Sequence, residues 1–357
     1  MRVLQIVHGP EAGGVKTLSE LIGDGLGRRG FAVETTMMFP ASDASLARKV
    51  AGTLRVAWRI LTGRHDAVIA YQAAASILTG VVGRLTRARR IVHQTALPAA
   101  VKAPLRRLDR IVGTLGLYGA NVVNSQATAA AFASYPARYR RAIVTIDHGV
   151  APLQPTHPRA ETLARLGIAD QGRILLNIGR LTAQKNHEVL IAALAHLPDA
   201  RLIVAGGGPR RDEHAALAAR LGVAPRVHLL GDVTPCDIAD LLGASDLFVF
   251  PSSWETFGIA AVEAALAGLP IIAADLPVLR EVLAGTDTVF VSPFDPTGWT
   301  QAIGAHAAHA GARRDAARAI AHRYSVERMI DAYVALLQRR AGASEPAISP
   351  RADVQAT

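Results

Sequence analysis

The chain has 357 residues, enough for two domains at about 100–200 residues per domain, and half of its residues are hydrophobic. Its formal net charge is +10, and its single cysteine, Cys236, excludes an intramolecular disulfide and a cysteine-cluster zinc or iron–sulfur site. A reducing, cytoplasmic setting fits this cysteine content.

The positive charge lies in the first half of the chain. Residues 1–150 hold 20 Lys and Arg against 8 Asp and Glu, whereas residues 151–357 hold 19 against 21. A basic half can attract nucleic acid, anionic lipid headgroups or a phosphorylated substrate, and a solvated arginine-rich surface is the alternative. Because no aromatic stacking series or basic recognition helix accompanies the charge, nucleic acid is not expected as a partner.

The chain opens on a predicted strand, since Arg2 leads straight into VLQIV, and a secretion signal is therefore not expected. The uncharged run 67–83 is shorter than the ~20 apolar residues that span a bilayer and contains polar side chains. We interpret this run as a strand followed by a helix.

Short apolar runs alternate with helical patterns through both halves, as is typical of βαβ units with a parallel sheet. The stretch VAPLQPTHPR (150–159) has three prolines and no periodicity, which predicts a linker. The fold class is thus α/β, with two Rossmann-like doubly wound domains facing a cleft, at residues 1–150 and 160–340. The last helix is expected to pack back on the N-terminal domain, and the tail 341–357 is expected to be disordered.

Two glycine turns lie between a strand and a helix, where backbone amides can approach an anion. The first contains Gly13 and Gly14, and the second is Gly206 to Gly208 in AGGGP. For each, a tight turn required only by geometry is the alternative. Neither matches GxxxxGK[ST], which argues against a P-loop ATPase or GTPase.

Two cations follow a predicted strand in NIGRLTAQKN. The strand ends at Ile178, so Arg180 and Lys185 are expected at the carboxyl edge of the second sheet, where open α/β folds bind ligands. The planar fork of arginine and the compact charge of lysine suit a diphosphate. Two exposed loop cations are the alternative.

The stretch WETFGIAAVEAALAGLP places two glutamates in an apolar run. The pattern predicts a helix that begins near 256–258 and ends at Gly268, with Glu255 in the loop before it and Glu263 about two turns inside. A buried carboxylate costs roughly several kcal/mol unless it is hydrogen-bonded, so Glu263 is expected to have hydroxyl or amide partners unless it lies on an exposed helix edge.

The order of these motifs resembles the retaining glycosyltransferases of family 4 (glycosyltransferases group 1), which have the two-domain GT-B architecture. The motifs are the Gly-Gly loop, GR-x4-K, the G-G-P turn, HLLG, SDLFVFPS, E-x7-E and LREVL, and they are dense between Ile174 and Val282. The resemblance implies a hexosyltransferase that takes a nucleoside-diphosphate sugar as donor substrate, retains configuration at the transferred carbon, and requires neither a metal nor a cofactor.

The resemblance also implies residue roles. Arg180 and Lys185 would hold the donor diphosphate, Glu255 would contact the donor sugar, and Glu263 would contact the ribose. A histidine of the N-terminal domain would touch the donor sugar; His93 in RRIVHQTALP takes this role, unless a shift of two residues aligns Thr95 instead. The phosphate cradle would be completed by Gly13, Gly14, Phe257, Gly258 and Ile259.

Three further residues, Thr256, His148 and His8, each have their own predicted role. Thr256 stands where many relatives have Gly or Ser, which predicts a slightly reshaped sugar pocket. His148 takes the asparagine position at the entrance to the linker and is interpreted as structural. His8, after the first strand, is interpreted as a packing residue.

The acceptor is expected to bind the basic N-terminal half. Residues 45–64 (SLARKVAGTLRVAWRILTGR) form an amphipathic cationic pattern typical of interfacial helices, and 102–110 adds a second basic cluster. These features favour a lipid-linked or oligosaccharide acceptor at the anionic inner face of a membrane, as in polysaccharide biosynthesis, with the enzyme peripherally bound. The alternatives are a helix merely docked on its own sheet, an enzyme with a soluble sugar acceptor, and a basic nucleic-acid-binding module.

Overall fold

The described part of the chain contains two parallel β-sheets. The computed structural model describes residues 1–9, 14–39, 45–306 and 313–339. The described strands are β1 (Arg2–Val7), β2 (Ala32–Met37), β3 (Ala67–Tyr71), β4 (Arg89–His93), β5 (Ala120–Val123), β6 (Ile143–Thr145), β7 (Arg173–Ile178), β8 (Ala200–Ala205), β9 (Val227–Gly231), β10 (Leu247–Phe250), β11 (Ile271–Ala274) and β12 (Val289–Val291). Their order is β2-β1-β3-β4-β5-β6 in the N-terminal sheet and β12-β11-β10-β7-β8-β9 in the second sheet. The prediction of two doubly wound sheets is confirmed.

Helices connect successive strands and cover the sheets. The described α-helices are α1 (Gly14–Arg28), α2 (Leu46–Thr62), α3 (Ala73–Gly83), α4 (Ala103–Thr114), α5 (Gln126–Ala130), α6 (Ala137–Arg140), α7 (Arg159–Arg165), α8 (His187–Ala193), α9 (Arg211–Arg220), α10 (Pro235–Ala244), α11 (Ile259–Leu266), α12 (Pro277–Val282), α13 (Pro296–Ala305), α14 (Arg313–Arg323) and α15 (Val326–Gln338). Short 3-10 turns cover Pro98–Ala100, Ala183–Lys185, Leu194–His196 and Ala224–Arg226. Within the described ranges, every helix is too short or too polar to cross a membrane.

The strands are buried on both faces, which explains their nearly continuous apolar runs. In β1, Val3 and Val7 pack on one side of the N-terminal sheet against α1, whereas Leu4 and Ile6 pack on the other side against α2 and α3. This pattern is the expected one for a parallel sheet covered by helices on both faces. It leaves the carboxyl edges of the strands as the open part of each sheet.

Helix α15 packs on the N-terminal sheet although it follows the second sheet in sequence. Its Met329, Ile330 and Tyr333 belong to the same apolar cluster as the strands of the N-terminal sheet. A Cβ atom on Gly25 of α1 would lie 2.4 Å from the Ile330 side chain, so the two helices approach closely at this glycine. The predicted tail, 341–357, lies outside the described residues.

The proline-rich segment between the sheets has no helix or strand from 150 to 158, and α7 begins at Arg159. The backbone amides of Thr156 and His157 donate to Asp240 Oδ1 of α10 at 2.6 and 3.0 Å. Because Asp240 is buried, these hydrogen bonds fix the end of this segment on the second sheet's helices.

Candidate active site

A crevice opens where the second sheet reverses its strand order. The chain runs from β7 outward to β9 and then returns to place β10 on the other side of β7. Backbone pairing between β7 and β10 is limited to Leu175 with Leu247 and Leu176 with Phe248. Ligands of open α/β sheets bind outside the carboxyl ends of the strands at such a reversal. The segments that leave this edge are 179–186 and 251–258.

Lys185 and Glu255 meet across this crevice. Lys185 ends the 3-10 turn after β7, and Glu255 lies in the loop before α11, as predicted. Lys185 Nζ lies 2.5 Å from Glu255 Oε1 and 4.8 Å from the centroid of the Phe250 ring. The two side chains are only 17% and 9% exposed, so the charges interact in surroundings of low dielectric constant. The sequence placed both residues in the site, but it did not predict their direct contact.

The loop that carries Arg180 is supported by the second glycine turn. The Leu181 amide donates to the Gly207 carbonyl at 2.8 Å. Gly208 has φ 155°, and a Cβ atom there would lie 2.5 Å from the Leu181 carbonyl oxygen. The glycines of AGGGP thus allow two backbone segments to touch, which is the geometric role considered from the sequence. Arg180 itself is solvent-exposed at the crevice edge.

The amino end of α11 points its first amides into the same region. The helix runs from Ile259 to Leu266, within the bounds that the sequence predicts, and Gly258 precedes it with φ 90°. A Cβ atom at Gly258 would lie 2.8 Å from Leu279 Cδ2, so both conformation and space require glycine. The first amides of a helix lack intrahelical acceptors, which makes this end an anion-binding position.

Glu263 lies in the second turn of α11 and is half-buried, between the two alternatives considered from the sequence. Burial raises the pKa of its carboxyl group from the ordinary 4.5 to about 7. No hydrogen bond to this carboxyl group occurs among the described side chains, so it can accept hydrogen bonds from a ligand.

The N-terminal domain closes the crevice from the opposite side. Gly14 is the first residue of α1, and a Cβ atom on it would lie 3.5 Å from Ile259 Cδ1. The start of α1 and the start of α11 therefore face each other across the domain boundary. Gly13, the other predicted residue of this loop, lies outside the described residues.

His93 occupies the end of β4, but its side chain is only 1% exposed. Its Nδ1 lies 3.2 Å from the Tyr333 hydroxyl, and its Nε2 has no hydrogen-bond partner in the described part of the chain. Burial holds the pKa of this imidazole well below its usual value, so the ring is neutral. Thr95, the other candidate for the same role, is half-exposed two residues further on.

His93 is nevertheless connected to the loop before α11 through aromatic contacts. Its ring centroid lies 5.7 Å from that of His148, and His148 packs edge-on against Phe257 at 4.9 Å. His148 therefore has the packing role that the sequence assigned to it. Likewise, His8 packs edge-on against Phe39 at 4.8 Å.

Thr256 joins the two domains, a role that the sequence did not reveal. Its hydroxyl accepts a hydrogen bond from Asn124 Nδ2 at 3.2 Å. Its carbonyl oxygen accepts hydrogen bonds from the hydroxyls of Ser125 and Thr128, both at 3.0 Å. The only sequence signal for these partners is the polar run NSQAT directly after β5.

Glu281 of the LREVL motif makes a second contact between the domains. Its carboxylate accepts hydrogen bonds from the backbone amides of Gln126 at 2.8 Å and Ala127 at 2.7 Å. These charge-assisted bonds fix α12 of the second domain against the start of α5 in the first domain.

Comparison with known proteins agrees with this architecture. The profile of the family described as glycosyl transferases group 1 matches residues 158–318. The chain is 32% identical over 321 residues to a D-inositol 3-phosphate glycosyltransferase of Mycobacterium marinum, covering 82% of this chain and 67% of the relative. It is 35% identical over 212 residues to the protein of the same name in Xylanimonas cellulosilytica, covering 55% of this chain and 51% of the relative. The chain thus spans about half to two thirds of the length of these relatives.

Solved structures show the same fold. The crystal structure of Anabaena HepE in complex with UDP and glucose superposes with a TM-score of 0.82 at 22% identity, covering 94% of this chain and 99% of that one. The crystal structure of WaaG, a glycosyltransferase involved in lipopolysaccharide biosynthesis, superposes with a TM-score of 0.72 at 17% identity, covering 94% and 99%. The fold is GT-B, and the chain belongs to the group 1 glycosyltransferases.

Proposed function

We propose that this chain transfers a hexosyl unit from a nucleoside-diphosphate sugar to a glycan acceptor at a membrane surface, with retention of configuration and without a metal ion. The observation that carries the donor half of this proposal is the convergence of positive groups on the crevice. Arg180, Lys185 and the amino end of α11 lie on one side, and the start of α1 lies opposite.

These groups suit a diphosphate leaving group. Negative charge develops on the leaving phosphate as the bond to the sugar breaks, and fixed positive groups in a partly dry site stabilise this charge. Lys185 is only 17% exposed, so water screens its charge weakly. The protein's own cations thereby supply the charge stabilisation that a metal ion supplies in other sites.

The two glutamates suit the hydroxyl groups of the donor. One carboxylate oxygen of Glu255 accepts from Lys185, and the other would accept hydrogen bonds from sugar hydroxyls. Glu263 would accept hydrogen bonds from the ribose. Since the ion pair with Lys185 lowers the nucleophilicity of Glu255, we favour departure and attack on the same face of the sugar over a glycosyl-enzyme. The acceptor proton then passes to the leaving phosphate.

The acceptor half of the proposal depends on one face of the N-terminal domain. Helices α2, α3 and α4 lie side by side, with α3 in contact with both neighbours. Helix α2 buries Gly52, Val56 and Ile60 against the sheet, yet leaves Leu54 64% and Trp58 68% exposed. The other large exposed apolar side chains of these helices and the turns that end them are Leu46, Val50, Leu61, Val81, Leu85, Leu108, Ile111 and Leu115.

Charge on this face matches an anionic lipid surface. The three helices and the turns around them, 46–64, 73–87 and 102–115, contain 11 Lys and Arg against one Asp, Asp109, which is buried. Cations flanking exposed apolar side chains are the features of helices that lie in a membrane interface. A helix merely docked on its own sheet would not leave a second, outward-facing apolar stripe. We therefore propose a peripheral position on the cytoplasmic face of a membrane.

A soluble acceptor is the second candidate, and the relatives favour it. The two similar proteins described above are named for D-inositol 3-phosphate, and a phosphorylated acceptor of that kind would also be attracted by a basic domain.

Two measurements test this proposal. In a thermal-shift panel of UDP-, GDP- and ADP-sugars, the cognate donor should raise the melting temperature because it binds only the folded chain. No response to any donor would contradict the donor assignment. Flotation with vesicles of phosphatidylglycerol and phosphatidylcholine should carry the protein upward; full recovery in the soluble fraction would favour the soluble acceptor.

A further inference from the structure

The floor of the crevice contains a buried polar pair below the proposed donor contacts. Backbone pairing between β7 and β10 stops at Leu176 and Phe248. The next residue of β7, Asn177, is fully buried, and its Nδ2 donates to the Val249 carbonyl at 2.7 Å. A side chain therefore continues the contact between the two strands where the backbone ladder ends and the crevice begins.

His187 is the second member of the pair. It is the first residue of α8, two residues after Lys185, and it is fully buried. Its Nε2 lies 2.9 Å from Asn177 Oδ1. Because an amide oxygen only accepts, Nε2 carries the proton and donates it, and Nδ1 is an unprotonated acceptor. Burial lowers the pKa of this imidazole to about 3, which keeps it neutral.

The two hydrogen bonds connect three segments of the site. Asn177 lies in the strand that leads to Arg180, His187 follows the turn that ends in Lys185, and Val249 lies in the strand that leads to Glu255. The outer parts of these segments are connected by the Gln184 carbonyl, which accepts from the Ser253 amide at 2.8 Å. The Asn177 and His187 pair is the contact at the buried base of the same arrangement.

We propose that Asn177 and His187 are positioning residues for sugar transfer: their buried hydrogen bond sets the width of the crevice and holds Lys185 opposite Glu255. This inference rests on the proposed function.

The chemistry of the pair supports a positioning role over simple filling of the core. An amide and an imidazole lose their hydration when buried, and Nδ1 of His187 has no hydrogen-bond partner among the described residues. Apolar side chains would fill the same space without this cost. Apolar side chains would not fix the relative position of the segments, because a hydrogen bond fixes both distance and orientation, whereas apolar contacts do not.

The test compares three variants of the full chain. His187→Leu keeps bulk and removes the hydrogen bond, His187→Gln keeps an amide donor, and His214→Leu is the matched control. His214 is an equally buried histidine whose ring packs on His187 at 5.3 Å. Its Nε2 lies 3.6 Å from Glu188 Oε2, too far for a hydrogen bond, and neither nitrogen has a hydrogen-bond partner within the described chain. The probe is UDP-glucose, and the measurements are UDP release, the melting temperature, and hydrogen exchange of 180–186 and 252–257.

We expect His187→Leu to lower kcat for UDP release about tenfold or more, since small displacements of reacting groups have effects of this size. Amides of 180–186 and 252–257 should exchange faster, and His187→Gln should restore both properties. His214→Leu should lower the melting temperature only.

The inference would be overturned if His187→Leu had the same kcat and exchange rates as the wild-type protein, or if His214→Leu changed both to the same extent. If wild-type protein neither binds nor hydrolyses any nucleotide sugar, the proposed function fails, while the exchange measurement still decides the role of the pair.

Discussion

The side-chain amide of Asn124 donates to the hydroxyl of Thr256 at 3.2 Å, so the end of β5 in the N-terminal domain contacts the residue that follows Glu255. Asn124 also lies 3.0 Å from His148 Nε2, which packs on Phe257. The orientation of the two domains is thereby connected to the loop that would hold the donor sugar.

Thr256→Val should weaken both the domain contact and donor binding. The substitution keeps the shape of the side chain but removes the hydroxyl, and a lost hydrogen bond of this kind costs about 1 kcal/mol. We expect a lower free energy of unfolding in urea and a smaller thermal shift with the cognate donor. Thr300→Val is the control, because the Thr300 hydroxyl donates to the Pro296 carbonyl of its own helix, α13. Equal donor responses in both variants would contradict this role of Thr256.

Glu263→Gln should change how stability depends on pH. The pKa of Glu263 in the folded chain, about 7, is above the ordinary 4.5, so the folded state binds this proton more tightly than the unfolded state does. The wild-type protein therefore loses stability as pH rises from about 4.5 to about 7, by about 1–3 kcal/mol from this group. E263Q lacks this loss, so its free energy of unfolding should rise relative to that of the wild-type protein over the same pH range.

Urea unfolding at pH 5 and pH 8 measures this difference. E327Q, at an exposed glutamate of α15, is the control and should show no such change. A pH-independent difference between E263Q and the wild-type protein would mean that Glu263 is hydrated. E263Q should also lose donor affinity, because a neutral amide is a weaker acceptor for ribose hydroxyls than a carboxylate.

Leu54→Ser combined with Trp58→Ser should abolish vesicle binding while leaving the fold intact. Both side chains are mostly exposed, so their loss changes stability little, whereas each contributes about 1.5–3 kcal/mol when buried in a membrane interface. Phe294→Ser, at a side chain that is 75% exposed in the second domain, is the control and should still float with vesicles. Binding should also weaken as salt rises. Unchanged flotation of the double variant would exclude α2 as the membrane contact.

The sequence predicts the elements of the second domain well because local signals determine them. Gly258, Gly268 and Pro270 bound α11, and the position of Arg180 and Lys185 follows from where β7 ends. Contacts between distant segments are different, since no local pattern specifies them. The Lys185 to Glu255 contact spans 70 residues, and the Tyr333 hydroxyl that covers His93 comes from 240 residues away.

His93 shows the consequence for assigning a role. A histidine at a strand end is equally compatible with an exposed catalytic contact and with a buried packing position, because local sequence does not say which later helix covers it. In the structure α15 covers it. Thr256 is a related case, because the sequence predicts only a reshaped sugar pocket there, whereas the structure shows hydrogen bonds to the N-terminal domain.

Titration of the cognate nucleotide sugar into the wild-type protein and into Lys185→Met is the most direct test of the donor site. Methionine keeps the stem of the side chain over Phe250 and removes the charge. Hydrogen bonds to charged groups contribute about 1.5–3 kcal/mol, so we predict that affinity falls about 10- to 150-fold in K185M, with a similar loss in Arg180→Ala. The control Arg220→Ala, at an exposed arginine of α9, should bind as the wild-type protein does. Wild-type affinity and turnover in both K185M and R180A would contradict the account.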